Sequence, residues 1–405
     1  MTGLDTTRFI QDYIIRRSGS LFDRDRSHYD KQLSESIGEQ QVLVIGGAGT
    51  IGSSFVRALL GYAPRSVVIV DTNENGLTEL VRSLRSDPGL VMPPHFVTYP
   101  MDFGSPIFEL LLQHYGGFDI VANFAAHKHV RSEKDAFSVA AMLDNNVLKA
   151  HGLLELLKEY PPKHFFCVST DKAANPVNIM GASKKLMERL ILSYAPHFSV
   201  TTARFANVAF SNGSLLDGYL HRLAQGQAIT CPKAIRRFFV SPAESGHICL
   251  LACMLGRTGD VFFPKLGEEA MISFEEITRD FFQYLGIEIY DCTSEEEARN
   301  LSQAWTPGRP YPVYFFESDT SGEKPYEEFF TESENPDFDR FECLGVLPHD
   351  QFPDPLQTQD MVSSLRAVIF EKNSLDKKAA ILEILQQYLP EFQHIEKGKN
   401  LDSKM

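Results

Sequence analysis

The chain has one tryptophan in 405 residues and six cysteines, at 167, 231, 249, 253, 292 and 343, with no CxxC pair among them. That argues against a disulfide framework and a thiolate metal site, and free thiols in a reducing compartment are expected. Cys249 and Cys253 stand four apart in an apolar run, the spacing of one buried helix face. No apolar stretch reaches the roughly 18 residues needed to span a bilayer. Residues 1–40 are polar and lack a signal-peptide core. A soluble, cytoplasmic protein with no membrane partner is expected. Positive charge is also scarce: 39 Lys+Arg face 53 Asp+Glu, a formal net charge of -14. Such a surface repels nucleic acid, although a local pocket can still bind an anionic small molecule. There are no internal repeats and no low-complexity tract. With 43% hydrophobic and 23% charged residues, the composition is globular and the length suits two or three domains.

Short apolar runs ending in turns are what the chain does have. They lie at Val42–Ile45, 66–70, 95–99, 119–123, 164–168 and 200–204, with helical patterns at 53–60, 77–85 and 146–159 between them. This alternation predicts an α/β fold, a Rossmann-like doubly wound parallel sheet over 41–210. Residues 1–40 form a helical preface, with Phe9, Ile10, Tyr13 and Ile14 at helical spacing before Arg16 and Arg17. It could pack on its own chain or on a neighbouring subunit. Residues 211–345, rich in aromatics, prolines and acids, form a smaller substrate-binding lobe interleaved with the main domain. A helical extension covers 346–405, with one helix near 357–389 and a tail expected to fray from His394.

The first strand runs into Gly46-Gly47-Ala48-Gly49-Thr50-Ile51-Gly52 and then an apolar helix. Gly46 suits a tight turn, Gly49 a close approach of backbone to a pyrophosphate, and Gly52 close packing of helix on strand. Thr50 and Ile51 open the helix whose N-terminus would face the phosphates. Asp71 ends the next strand, where a carboxylate accepts from an adenosine ribose and repels a 2′-phosphate, favouring NAD over NADP. The alternative is that Asp71 caps the following helix. Asp102 and Phe103 end the third strand, where an acid can hold the adenine amino group.

Ser169-Thr170-Asp171-Lys172 follows the fifth strand, and Asn178 to Lys185 reads as a helix start with Met180 and Lys184 on one face. A hydroxyl, an acid and lysines at a strand's C-terminal end stand where such sheets bind ligands.

Three segments, GGAGTIG at 46–52, AAHKHV at 125–130 and STDKAANPVNIMGASK at 169–184, carry a resemblance. Weaker support comes from FANVAFSNGS at 205–214, RRFF at 236–239 and SGEKPYEE at 321–328. Over about 41–330 the chain resembles the extended short-chain dehydrogenases/reductases, and among them the polysaccharide-biosynthesis (CapD-like) UDP-N-acetylglucosamine 4,6-dehydratases. The resemblance implies a hydride taken from sugar C4, a proton from C5, water lost from C6 and the hydride returned there. By matched position it implies Lys172 as the C5 base, Asp171 as the acid for the departing hydroxyl and Thr170 as a hydroxyl near O4. Lys184 is the match for the lysine on the nicotinamide ribose. To act as a base, Lys172 needs a depressed pKa.

Met180 stands where most of the superfamily has a tyrosine base. The resemblance implies that a branch of the family shares this methionine, with Asp171 or a water held by Thr170 taking the proton. It argues against a plain dehydrogenase or epimerase. Ala125 and Ala126 let the cofactor lie close, and Lys128 and His129 match a pair on the substrate side. Asn146 matches an asparagine that orders a water, with Asn145 as the one-residue alternative. Asn207 and Arg237 match contacts to the nucleotide sugar and its diphosphate. Thr320-Ser321 replaces the Arg-Pro usual before Gly322-Glu323-Lys324. The implied partners are a UDP-sugar and a second copy of the chain, with no metal. The alternatives are a related epimerase or 5,6-dehydratase, and a non-catalytic NAD-binding regulator.

Overall fold

The computed structural model describes residues 4–317, 324, 326–371 and 377–394. The six apolar runs become β1 (Gln41–Ile45), β2 (Ser66–Asp71), β3 (His95–Pro100), β4 (Ile120–Asn123), β5 (His164–Val168) and β6 (Ser199–Ala203). Later come β7 (Asn207–Val208), β8 (Ile229–Lys233), β9 (Arg236–Val240), β10 (Val261–Pro264), β11 (Met271–Ser273), β12 (Ile289–Cys292), β13 (Tyr311–Glu317) and β14 (Leu344–Leu347). The main sheet has eight strands in the order β14-β10-β6-β5-β4-β1-β2-β3. Strands β10 to β3 are parallel, and β14 closes the edge antiparallel to β10.

The strands are apolar along their length because both sheet faces are covered. Side chains alternate between two layers. Val42, Val44, Val67 and Ile69 pack with the helices Thr50–Leu60, Glu74–Arg85 and Pro242–Leu255. Leu43, Ile45, Val68 and Val70 pack with Pro106–Tyr115, Lys149–Glu159 and Ile179–Leu192. Each such side chain contributes about 1.5–3 kcal/mol by leaving water. From β1 the chain winds to β3 on one side, and from β4 to β6 on the other. The crevice between the C-terminal ends of β1 and β4 is therefore the switch point where ligands bind in such sheets.

Two three-stranded sheets, β12-β13-β8 and β11-β9-β7, stand beside the main sheet. The first encloses an aromatic core with Tyr219, Phe281 and Tyr311. The preface packs on this core of its own chain. Phe9 is fully buried, edge-on to Phe210 and Phe281. Arg17 then clamps Glu244 through two hydrogen bonds of 2.6 and 2.9 Å.

At the other end, two helices replace the single one expected over 357–389: Pro355–Phe370 and Lys377–Tyr388, with 372–376 outside the described residues. Met361, Leu365, Ile381 and Leu385 join the core cluster of Leu143, Val147 and Leu186. His394 is not frayed; its ring sits 3.7 Å from the buried Glu133 carboxylate. Residues 395–405 lie outside the described residues. The six cysteines are buried and free. Among the described residues no helix is long and apolar enough to cross a membrane.

Candidate active site

Gly46 turns the chain off β1 with φ 77, and a Cβ there would lie 2.6 Å from the backbone nitrogen of Ala125 after β4. A Cβ on Gly52 would lie 2.3 Å from the Gly46 oxygen. Only glycine lets the loop, the helix and β4 meet this closely. The helix Thr50–Leu60 starts with no side chain capping it, so its first amides and its dipole favour an anion. A cradle that side chains would fill, ending on an uncapped helix, fits a dinucleotide pyrophosphate.

Asp71 braces this cradle. Its carboxylate accepts from the amides of Ala48 and Asn73, each at 2.9 Å. The following helix is capped by Asn73, which accepts from Gly76 N at 2.9 Å, so the capping alternative for Asp71 falls. Asp102 is paired with Lys149 and accepts from Gly104 N at 2.8 Å. Burial works to raise its pKa, but those two donors outweigh it and hold the carboxyl below its ordinary value. The adenine contact expected of Asp102 thus competes with Lys149, which sequence reasoning did not foresee. Phe103 is buried in the core cluster with Phe108 and Leu112.

Ala125 and Ala126 lie half-buried beside the glycine loop, and Lys128 and His129 are exposed on the loop that follows. Asn146 organises this region: it accepts from His127 N at 2.8 Å and donates to His127 O at 2.9 Å and Ser183 Oγ at 3.0 Å. Asn145 donates to Asn146 at 3.2 Å. Asn146 lies in a π-helical turn, Asp144–Leu148, a distortion common at functional sites. Across the entrance, Asn212 N donates to Thr50 Oγ1 at 3.0 Å, so the 210–214 loop is tied to the start of the cofactor helix.

The short turn Asp171–Ala173 follows β5, with Thr170 before it. Asp171, 3% exposed, accepts from Thr170 Oγ1 at 2.8 Å and from Lys172 Nζ at 3.1 Å. Asn178 caps the helix Ile179–Leu192 by accepting from Gly181 N at 2.7 Å. Met180 and Lys184 are buried one turn apart on this helix. Met180 N donates to Glu133 Oε1 at 2.9 Å, and Lys184 Nζ donates to Val168 O at 3.1 Å. Burial lowers the Lys184 pKa, as desolvation of an ammonium must.

Lys172 departs from expectation. Its amine is 3.1 Å from Asp171 and 3.6 Å from Glu327. Burial would lower its pKa, but these two carboxylates outweigh burial and the repulsion of Arg237, so the pKa is raised. The depressed value expected for a base is therefore corrected. Arg237, on β9 and 5% exposed, faces the same Glu327 carboxylate at 3.8 Å. Asn207 begins β7, in register with Phe239 of β9 two residues beyond Arg237. Gly322 and Glu323, with Thr320 and Ser321, lie outside the described residues. Lys324 donates to Asn175 O.

Two charged groups were missed. Glu327 lies inside the SGEKPYEE segment, and that membership was its only signal. Arg204 is fully buried beneath the site. It donates to both Glu188 oxygens at 3.0 and 2.9 Å and to both Glu334 oxygens at 2.8 Å. Ser169 Oγ closes this network on Glu188 at 2.6 Å. Burial works against ionising Glu334, but Arg204 outweighs it and pulls the pKa down to about 2.

Comparison with known proteins agrees with this architecture. Residues 42–344 match the family described as "Polysaccharide biosynthesis protein". An "uncharacterized membrane protein" of Methanocaldococcus jannaschii is 32% identical over 58% of this chain and 69% of its own length. The capsular polysaccharide biosynthesis protein CapD of Staphylococcus aureus is 29% identical over 62% of this chain, which spans only 42% of that relative. A UDP-glucose 4-epimerase of Rickettsia canadensis is 27% identical over 60% of this chain and 71% of its own. The solved structure of Pen from Bacillus thuringiensis superposes with a TM-score of 0.62 at 20% identity, over 87% of this chain and 99% of that one, a likeness of fold. With its glycine cradle at the switch point and its charged turn after β5 inside the matched span, the chain belongs to the polysaccharide biosynthesis protein family of the extended short-chain dehydrogenases/reductases.

Proposed function

We propose that the protein is a UDP-N-acetylglucosamine 4,6-dehydratase, forming a UDP-4-keto-6-deoxy sugar for surface-glycan biosynthesis. The observation that carries this is the hydrogen-bonded turn Thr170-Asp171-Lys172, with Asp171 buried, beside a helix with Met180, not a tyrosine, at its first turn. A thioether takes no proton, so proton chemistry falls to the turn. The Gly46–Gly52 loop would hold the cofactor diphosphate, and Asp71, with acceptor sites left over, the adenosine ribose of NAD in preference to NADP. The nicotinamide supplies a reversible hydride acceptor for the sugar.

Thr170 Oγ1, which already donates to Asp171, relays the proton of sugar O4 to that carboxylate. Asp171, now protonated, no longer holds the charge on Lys172. Lys172 releases its ammonium proton to solvent, regaining it after the cycle, and as neutral amine takes the C5 proton made acidic by the C4 ketone. Asp171 gives its proton to the C6 hydroxyl, which leaves as water, and Lys172 returns a proton to C5. The protons balance: the O4 hydrogen leaves with the C6 oxygen. A C4 epimerase, the activity named for one relative, needs neither the C5 base nor the C6 acid.

Mass spectrometry after incubation with UDP-N-acetylglucosamine in deuterated water tests this. The expected product is lighter by one water and carries deuterium at C5, with no added oxidant. A product of unchanged mass would replace dehydration by epimerisation. Lys172→Ala is expected to lower turnover by about 10²–10⁴-fold; unchanged turnover would remove it as the base.

A further inference from the structure

Lys172 and Arg237, on separate elements, converge on one carboxylate, Glu327. Its side chain is 4% exposed, 3.6 Å from the lysine and 3.8 Å from the arginine. We infer that Glu327 is a placeholder anion, occupying the cationic site of Arg237 and Lys172 until the diphosphate of a nucleotide sugar displaces it. The inference rests on the nucleotide-sugar part of the function proposed above and deepens it.

A carboxylate further along the same segment shows the contrast. Glu334 is fixed on Arg204 by paired hydrogen bonds of 2.8 Å, the geometry of a permanent partner. Glu327 reaches its two cations only at ion-pair separation. Burial raises its pKa despite Lys172, Arg237 and Lys324, with Asp171 adding to the rise, whereas the Glu334 pKa falls. The charge of Glu327 is thus poorly stabilised where it sits. Its segment is anchored next door by Phe329, buried against Phe238 at 5.1 Å and Phe263 at 6.0 Å. The carboxylate can therefore swing aside while its backbone stays attached. A diphosphate brings more negative charge than one carboxylate and a planar match for the arginine fork.

The test is binding of UDP-xylose, which has no C6 hydroxyl to lose, to NAD-loaded wild type and Glu327→Gln by calorimetry. If Glu327 is a competitor, the glutamine variant binds on the order of threefold to tenfold tighter. The acidic limb of its kcat/KM profile with UDP-N-acetylglucosamine moves to lower pH, because Lys172 has lost a neighbouring negative charge. A merely structural glutamate predicts weaker binding. Binding that is unchanged or weaker in a variant melting like wild type overturns the inference.

Should Glu327→Gln fail to fold, wild type supplies the answer. UDP-xylose keeps its charge through the carboxylate range, and so does Lys172, whose pKa is raised. Its binding should therefore tighten as Glu327 takes up a proton, above the usual carboxylate range, and should still do so in Asp171→Asn, at lower pH because Asp171 adds to the rise. No tightening overturns the inference. Tighter binding by the variant without loss of water from UDP-N-acetylglucosamine would sink the dehydratase proposal and leave the placeholder standing. UDP-xylose binding to neither protein would sink both.

Discussion

At the scale of single residues, Gly46 and Lys172 show two kinds of constraint. Gly46 is set by geometry. Its left-handed φ of 77 and the 2.6 Å approach of Ala125 N leave no room for a side chain. Gly46→Ala is expected to cost about 1–2 kcal/mol in backbone strain alone, before the clash is relieved. Cofactor affinity should fall by more than about tenfold, which a fluorescence titration with NAD would read. Lys172 is set by charge. Its pKa is raised by Asp171 and Glu327 against burial, so the neutral amine needed at C5 is scarce at neutral pH. Turnover should rise with pH towards and beyond the ordinary lysine range. A rate flat from pH 6 to 9 would mean that Lys172 is not the titrating base.

At the scale of elements, a buried charge network joins the site to its support. Arg204, just past β6, links Glu188 of the helix Ile179–Leu192 to Glu334, 130 residues further along the chain. The Glu334 pKa is lowered to about 2 from an ordinary 4.5, so the folded state binds the charged form more tightly. The stability this confers is complete above about pH 4.5 and is lost as pH falls from there towards 2. Thermal melting of wild type should drop over that window, and Glu334→Gln should flatten the drop while lowering stability at neutral pH. Glu188→Gln, which strips Arg204 of a 3% exposed partner, should cost about 3–5 kcal/mol. None of this network was visible in the sequence, where Arg204 reads as the end of a strand and Glu334 as one acid in an acidic stretch.

For the molecule as a whole, both terminal extensions pack on the chain itself. The preface is locked by Arg17, whose guanidinium clamps the fully buried Glu244 carboxylate. Glu244 also accepts from Leu21 N at 2.9 Å and from Ser241 N at 2.8 Å, the latter capping the helix Pro242–Leu255. Arg17→Ala would leave a buried charge without its cation, at about 3–5 kcal/mol. Melting should fall by several degrees, with the kcat/KM pH profile unmoved, because neither Arg17 nor Glu244 is among the charges that set the Lys172 pKa. At the other end, the helices Pro355–Phe370 and Lys377–Tyr388 complete the core over the active-site helix. The sequence predicted helical extensions but not what they cover, because an apolar helix face states that it needs a partner and not which one.

What the sequence determined by itself is what neighbouring residues decide. Alternating apolar runs and helical spacing specify the parallel sheet. The glycines after β1 specify the cradle. The short spacing from Thr170 through Lys172 to Met180 and Lys184 specifies one turn and one helix face. Tertiary structure alone decided which charges meet. Glu327 and Arg237 reach Lys172 from remote parts of the chain, and Lys149 reaches Asp102 from another helix. Burial and unlike charge push a pKa in opposite directions, so the sign of each shift depends on distances that no sequence pattern contains.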